Sequence, residues 1–203
     1  MAPEKESIRK TRSIERLIIA SDNIIGWIER IALFIACVAV VALMMLVALD
    51  ASMRYLFNNP LGFTADAVVL YLLPASMFCA FSYTFRRGGH VAVDAIANTF
   101  PDRMVHFILG VLFLAAAYPV AEMALGGGRI TWESWINGEI TGGGHPTPVW
   151  LSKVLVPVGM GLLSLRLCHA AVANLWAGAT SSDDLAYPAR TKSGYTPETE
   201  RAA

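Results

Sequence analysis

The 203-residue chain is poor in charge and in cysteine, and it has no net charge to offer a polyanion. Asp, Glu, Lys and Arg together make up 16% of it, against about 25% in an ordinary soluble domain. Sixteen basic residues balance sixteen acidic ones, so nucleic acid is not an expected partner. The three cysteines, Cys37, Cys79 and Cys168, stand inside apolar runs without paired spacing. That excludes a disulfide framework and a thiolate zinc site, and leaves small buried side chains. There is no nucleophile–base arrangement, no phosphate-binding glycine loop and no redox CxxC. Nothing here reads as an enzyme active site, and no cofactor or metal is expected.

What the chain has instead is apolar length. Hydrophobic residues make up 55% of it. Four windows approach or exceed the roughly 18–20 apolar residues that cross a bilayer core: 31–49, 67–85, 104–121 and 154–176. The first follows a 30-residue leader and is too long for a removable signal peptide. Its leader places Ile14, Leu17, Ile18, Ile25 and Ile28 on one side and Arg12, Glu15, Arg16 and Glu29 elsewhere, which predicts an amphipathic surface helix over 1–30. The tail, 177–203, is rich in Ser, Thr, Pro and charge, and is expected to be disordered.

Cation placement orients the spans. Lys5, Arg9, Lys10, Arg12, Arg16, Arg30, Arg86, Arg87, Arg103, Arg190, Lys192 and Arg201 fall on one side of a four-span layout. Only Arg54, Arg129 and Lys153 fall on the other. The positive-inside bias places both termini in the cytoplasm. Trp132, Trp135 and Trp150 then mark the outer boundary, and Trp27 and Trp176 the inner one.

Between spans two and three runs RRGGHVAVDAIANTFPD. Val93, Ile96, Ala97 and Phe100 share a helical face, and His90, Asp94 and Asn98 line another. Gly88 and Gly89 permit a sharp turn, and Pro101 closes the segment. An interfacial helix over about 90–100 is expected, with Arg87, His90 and Asp94 as a polar cluster. The fold class is therefore all-α: four transmembrane helices with an amphipathic interfacial helix between the second and third.

Several residues invite functional readings. Arg54 and Asp66 flank the turn between spans one and two, either as an ion pair closing it or as two solvated charges. Arg166 lies about 18 Å into span four by helix rise. A charge at that depth normally faces protein or water. No carboxylate within the spans matches its depth, so the readings are a buried structural role, with a partner that could sit on another subunit, or a side chain snorkelling to the inner headgroups. His106 and His169 are the two histidines that a haem-binding anchor subunit of a respiratory enzyme would need, and this is the alternative reading. The segment LGGGRITWESWINGEITGGGHPTPVW joins spans three and four. Its two glycine runs read as flexible flanks, and Trp132, Trp135 and Trp150 as an interfacial belt or a docking loop.

RYLFNNPLGFTADA after span one, RRGGHVAVD after span two and TPVWLSKVLVPVG opening span four resemble the small membrane subunit of TRAP transporters, the DctQ-type small permease. The resemblance covers about residues 24–176. Arg87, His90 and Asp94 match its most specific motif, and Arg54 matches the arginine after span one. Phe63 stands where that family commonly has Trp, with Asp66 supplying the acid. The resemblance implies a sodium-coupled tripartite importer in the bacterial inner membrane. A periplasmic substrate-binding protein would deliver a small organic acid to a large multi-span permease. This chain would act as the scaffold, in contact with that permease and with the lipid bilayer.

Overall fold

A computed structural model describes residues 2–59, 61–87, 102–141, 146–180, 190–191 and 194–195. Side chains are described for 16–59, 61–87, 104–141 and 146–179. The first helix, α1 (Ala2–Phe57), runs 56 residues without a break. It stops where Asn58 takes a left-handed backbone (φ 51°), a conformation Asn tolerates better than most residues. The second span is composite: α2 (Thr64–Asp66), a π-helical stretch Ala67–Leu72, and α3 (Leu73–Arg86). Pro74 accounts for the π stretch. It has no N–H to give Leu70, and the wider i→i+5 register passes over it; Leu73 N–H accordingly bonds the Val68 carbonyl.

Next come α4 (Asp102–Ile136), α5 (Val149–Lys153) and α6 (Leu155–Thr180). Two antiparallel two-residue strands, β1 (Arg190–Thr191) and β2 (Gly194–Tyr195), complete the described chain. Among the described residues four helical stretches are long and apolar enough to cross a membrane: Arg16–Phe57, Thr64–Arg86, Met104–Ile136 and Val149–Ala179. All-α architecture with four spans is therefore what the chain has. The expected interfacial helix over 90–100, with His90 and Asp94, lies outside the described residues.

The helices outlast the windows read from hydropathy. Arg16–Phe57 has 42 residues, roughly 63 Å at 1.5 Å each, about twice the hydrocarbon thickness. The third window, 104–121, has Pro119 near its end, and α4 continues past that proline to Ile136. Membrane helices tolerate proline because neighbouring groups take up the freed carbonyl. The first glycine run was expected to be a flexible flank; Gly126, Gly127 and Gly128 are instead helical. A Cβ on Gly127 would stand 3.2 Å from Pro157 Cδ and 3.4 Å from Val156 Cγ1. Small residues there let α4 and α6 approach closely. The second run, 142–144, lies outside the described residues.

The chain divides into two compact units: Met1–Ile28 with Thr84–Tyr118 and Ser164–Ala203, and Glu29–Tyr83 with Pro119–Leu163. In the first, Phe85 and Phe113 meet edge to face at 5.4 Å, and Val105, Leu167, Ala170, Ala171 and Ala177 are buried. In the second, a Cβ on Gly159 would lie 2.5 Å from the Phe78 carbonyl oxygen, so α6 and α3 touch backbone to backbone.

Candidate functional site

The inward stripe of α1 sets the polar geometry. Ile18, Asp22, Ile25, Glu29, Ala36 and Ala39 recur at spacings of three, four or seven, and none is among the exposed residues. This spacing keeps one seam of a helix turned to its neighbours. The seam differs from the leader face read above. Leu17 and Ile28 are exposed, whereas Glu29 is fully buried. The carboxylates face inward because neighbouring helices offer them donors.

In the first unit those donors converge on Asp22. Arg166 Nη1 donates to Asp22 Oδ1, and Arg86 Nη2 lies 3.5 Å from Oδ2. Arg86 reaches across Gly26, where any Cβ would collide with its guanidinium. His169 Nδ1 stands 4.0 Å from Oδ1. Its Nε2 is 3.1 Å from both the Ile18 carbonyl and Ser21 Oγ. The carbonyl can only accept, so Nε2 carries the hydrogen and donates. Arg166 thus has a partner within the chain and is 1% exposed. The match was missed because residues 1–30 were read as a separate surface helix, although Asp22 sits one helical turn from Ile18 and Ile25 on a single seam. Since His169 uses Nε2 to bind α1, that nitrogen does not face an open site for haem iron. His106 is buried.

In the second unit Ser82 Oγ–H donates to Glu29 Oε1 at 2.6 Å, a neutral donor satisfying a buried carboxylate. The turn between spans one and two is closed by Asp50, not by Asp66. Asp50 Oδ1 accepts from the Leu61 N–H (2.8 Å) and, more weakly, from Thr64 Oγ1 (3.4 Å). Asp50 Oδ2 takes Arg54 Nη2 at 3.1 Å. The Arg54 side chain is 62% exposed, so this i,i+4 pair adds little, and the hydrogen bond to Leu61 organises the turn. Asp66 is half-buried and makes no ion pair among the described residues. Phe63 is exposed, and Arg87 is exposed in the turn ending α3.

The segment before span four folds on itself. Thr141 N–H bonds the Thr147 carbonyl and Val149 N–H the Glu139 carbonyl, and just before this pairing Gly138 at φ 59° ends α4, with Glu139 N–H on the Ser134 carbonyl. Trp135 and Trp150 pack edge to face at 4.5 Å, while Trp132 is exposed. Tyr71 O–H donates to the Pro148 carbonyl at 3.0 Å, tying the π stretch to this segment. Lys153 Nζ (2.6 Å) and Ser134 Oγ (2.7 Å) donate to Glu139 Oε2. The Lys153 ammonium, and after it the Ser134 hydroxyl, hold the Glu139 carboxyl below the usual value of 4.5.

A depressed folded value means that the charged pair adds stability above pH 4.5, lost as pH falls through the lowered value. Glu139→Gln should therefore lower the thermal midpoint slightly at pH 7, and the gap to the parent should close in acid. Midpoints recorded from pH 7 down to pH 3 check this; a gap that widens in acid contradicts it.

Among the described residues no three His, Cys, Asp or Glu side chains are grouped to hold a metal ion. The ionisable groups inside the helices meet one another, which is how charge is kept within a bilayer-spanning protein. No curated protein is similar enough to the chain to be matched. A family model does match, that of the DctQ component of tripartite ATP-independent periplasmic transporters, over residues 43–178. The matched stretch begins after Asp22 and Glu29 and takes in Asp50, Arg54, Arg166 and the folded segment before span four. It covers well over half of the sequence, and the chain belongs to the DctQ component family of the tripartite ATP-independent periplasmic transporters.

Proposed function

We propose that this multi-pass membrane protein, a transporter component and not an enzyme, is the scaffold of its importer and leaves transport to the large permease. In this reading the system is sodium-coupled and takes up a small organic acid delivered by a periplasmic binding protein. The observation carrying it is the mutual engagement of the buried polar groups: Asp22 with Arg86 and Arg166, and Glu29 with Ser82. Such pairing fixes helices against each other and suits a rigid support better than an ion path.

The Arg87, His90 and Asp94 cluster would brace the cytoplasmic surface, and Trp132, Trp135 and Trp150 would face the binding protein or the outer headgroups. Both termini would lie in the cytoplasm of an inner-membrane protein.

The test is purification in mild detergent followed by reconstitution. A large multi-span permease should co-purify, its recovery should fall with Asp94→Ala, and liposomes holding this chain alone should show no substrate uptake. Uptake by the chain alone contradicts the scaffold role. For topology, Ser7→Cys should be shielded from an impermeant thiol reagent in intact cells and Gly143→Cys labelled, both in a cysteine-free background. Labelling at position 7 reverses the orientation.

A further inference from the structure

We propose that the groove between the end of α1 and the π-helical stretch of the second span binds one anionic phospholipid. Arg54 would take the headgroup phosphate, and Val47, Val68 and Val69 would carry the first part of an acyl chain. The groove has a volume of about 210 Å³, is open on one side, and is lined by these residues together with Asp50 and Thr64. It is smaller than the roughly 300–1,000 Å³ of sites that enclose a soluble ligand. Its size and open side suit one end of an amphiphile.

The lining is polar at one end and apolar along the rest. Val47 and Val69 are exposed, as a surface turned to lipid would be. Arg54 follows directly on the apolar run 31–49, where a headgroup layer is expected. Of its five N–H groups only one on Nη2 is used among the described residues, on Asp50. The remaining fork matches the two oxygens of a phosphodiester, which a lysine would meet only as a point charge.

Asp50 does not repel the headgroup strongly. Its side chain is 14% exposed, and its charge is engaged by the Leu61 N–H, Thr64 and Arg54 itself.

The full chain, purified in an uncharged detergent, would be mixed with phosphatidylglycerol or with phosphatidylcholine of the same acyl chains. Retained lipid would be counted by native mass spectrometry. Phosphatidylglycerol should be retained over phosphatidylcholine. Arg54→Gln should lower its retention about tenfold, the loss expected for one charge-assisted contact, with phosphatidylcholine unchanged. Val69→Glu, which leaves Arg54 in place, should lose phosphatidylglycerol as well and decides the matter should Arg54→Gln fold poorly. Arg129→Gln, outside the groove, should change nothing.

Equal retention of the two lipids overturns the proposal. So does displacement of phosphatidylglycerol by inorganic phosphate where chloride has no effect, since that marks a free-anion site. A third contrary result is Arg54→Gln releasing the co-expressed large permease with lipid retention intact, which would make the groove a protein contact.

Discussion

Asp22→Ala should be among the most damaging single substitutions in the chain. It removes the carboxylate that Arg166 and Arg86 share, and Arg166 is 1% exposed. Breaking a buried ion pair from one side costs about 3–5 kcal/mol. Asp22 keeps 32% of its side-chain exposure, so about 3 kcal/mol is the better expectation. That corresponds to more than a hundredfold in the folding equilibrium. The companion variant distinguishes an uncompensated charge from lost packing. Asp22→Ala with Arg166→Met should recover part of the loss, because the stranded charge goes with its partner. Tryptophan-fluorescence melts in detergent give the readout. Losses that simply add would show that the pair acts through shape and not through charge.

Gly159→Ala should also be strongly destabilising, for a reason with no electrostatics in it. The added Cβ would lie 2.5 Å from the Phe78 carbonyl oxygen, 2.6 Å from Phe78 Cβ and 2.8 Å from its carbonyl carbon. Two of these atoms are backbone, so no rotamer change relieves the clash and the helices must separate. Overpacking of this kind costs about 1–3 kcal/mol, and separation also forfeits the close contact that holds membrane helices together. Gly161 is the control on the same helix. A Cβ there meets nothing within 4 Å, and replacing a helical glycine by alanine favours the helix by about 0.5–1 kcal/mol. Melting shifts of opposite sign two residues apart are expected. A neutral Gly159→Ala would mean that α3 and α6 do not touch at Phe78.

The same contrast separates what could be read from the chain alone. Span number, helical class and family membership were legible because each rests on local information. An apolar run of bilayer length is helical wherever its partners lie, since unpaired backbone groups are too costly in lipid. The motif after span one likewise sits in consecutive residues. Arg166 was recognisable as an anomaly for that reason: a charge inside an apolar run is visible without any fold.

Its partner was not legible. Asp22 is 144 residues away in sequence, and it was assigned to a surface leader because hydropathy falls off before residue 31. Only the continuity of α1 brings that carboxylate against α6, and only Gly26 leaves room for Arg86 beside it. Arg54 shows the reverse case. Asp66 was weighed as its mate across the turn, yet Asp50, one helical turn away, was nearer at no cost in loop closure. The glycines at 126–128 carried a local signal that misled, since glycine favours flexibility in water but close helix contact in a membrane. Sequence by itself determined that this protein crosses the membrane four times and in which family it stands. Tertiary structure decided which charges neutralise one another and which glycines are contacts, because both depend on residues far apart in the chain coming within a few ångströms.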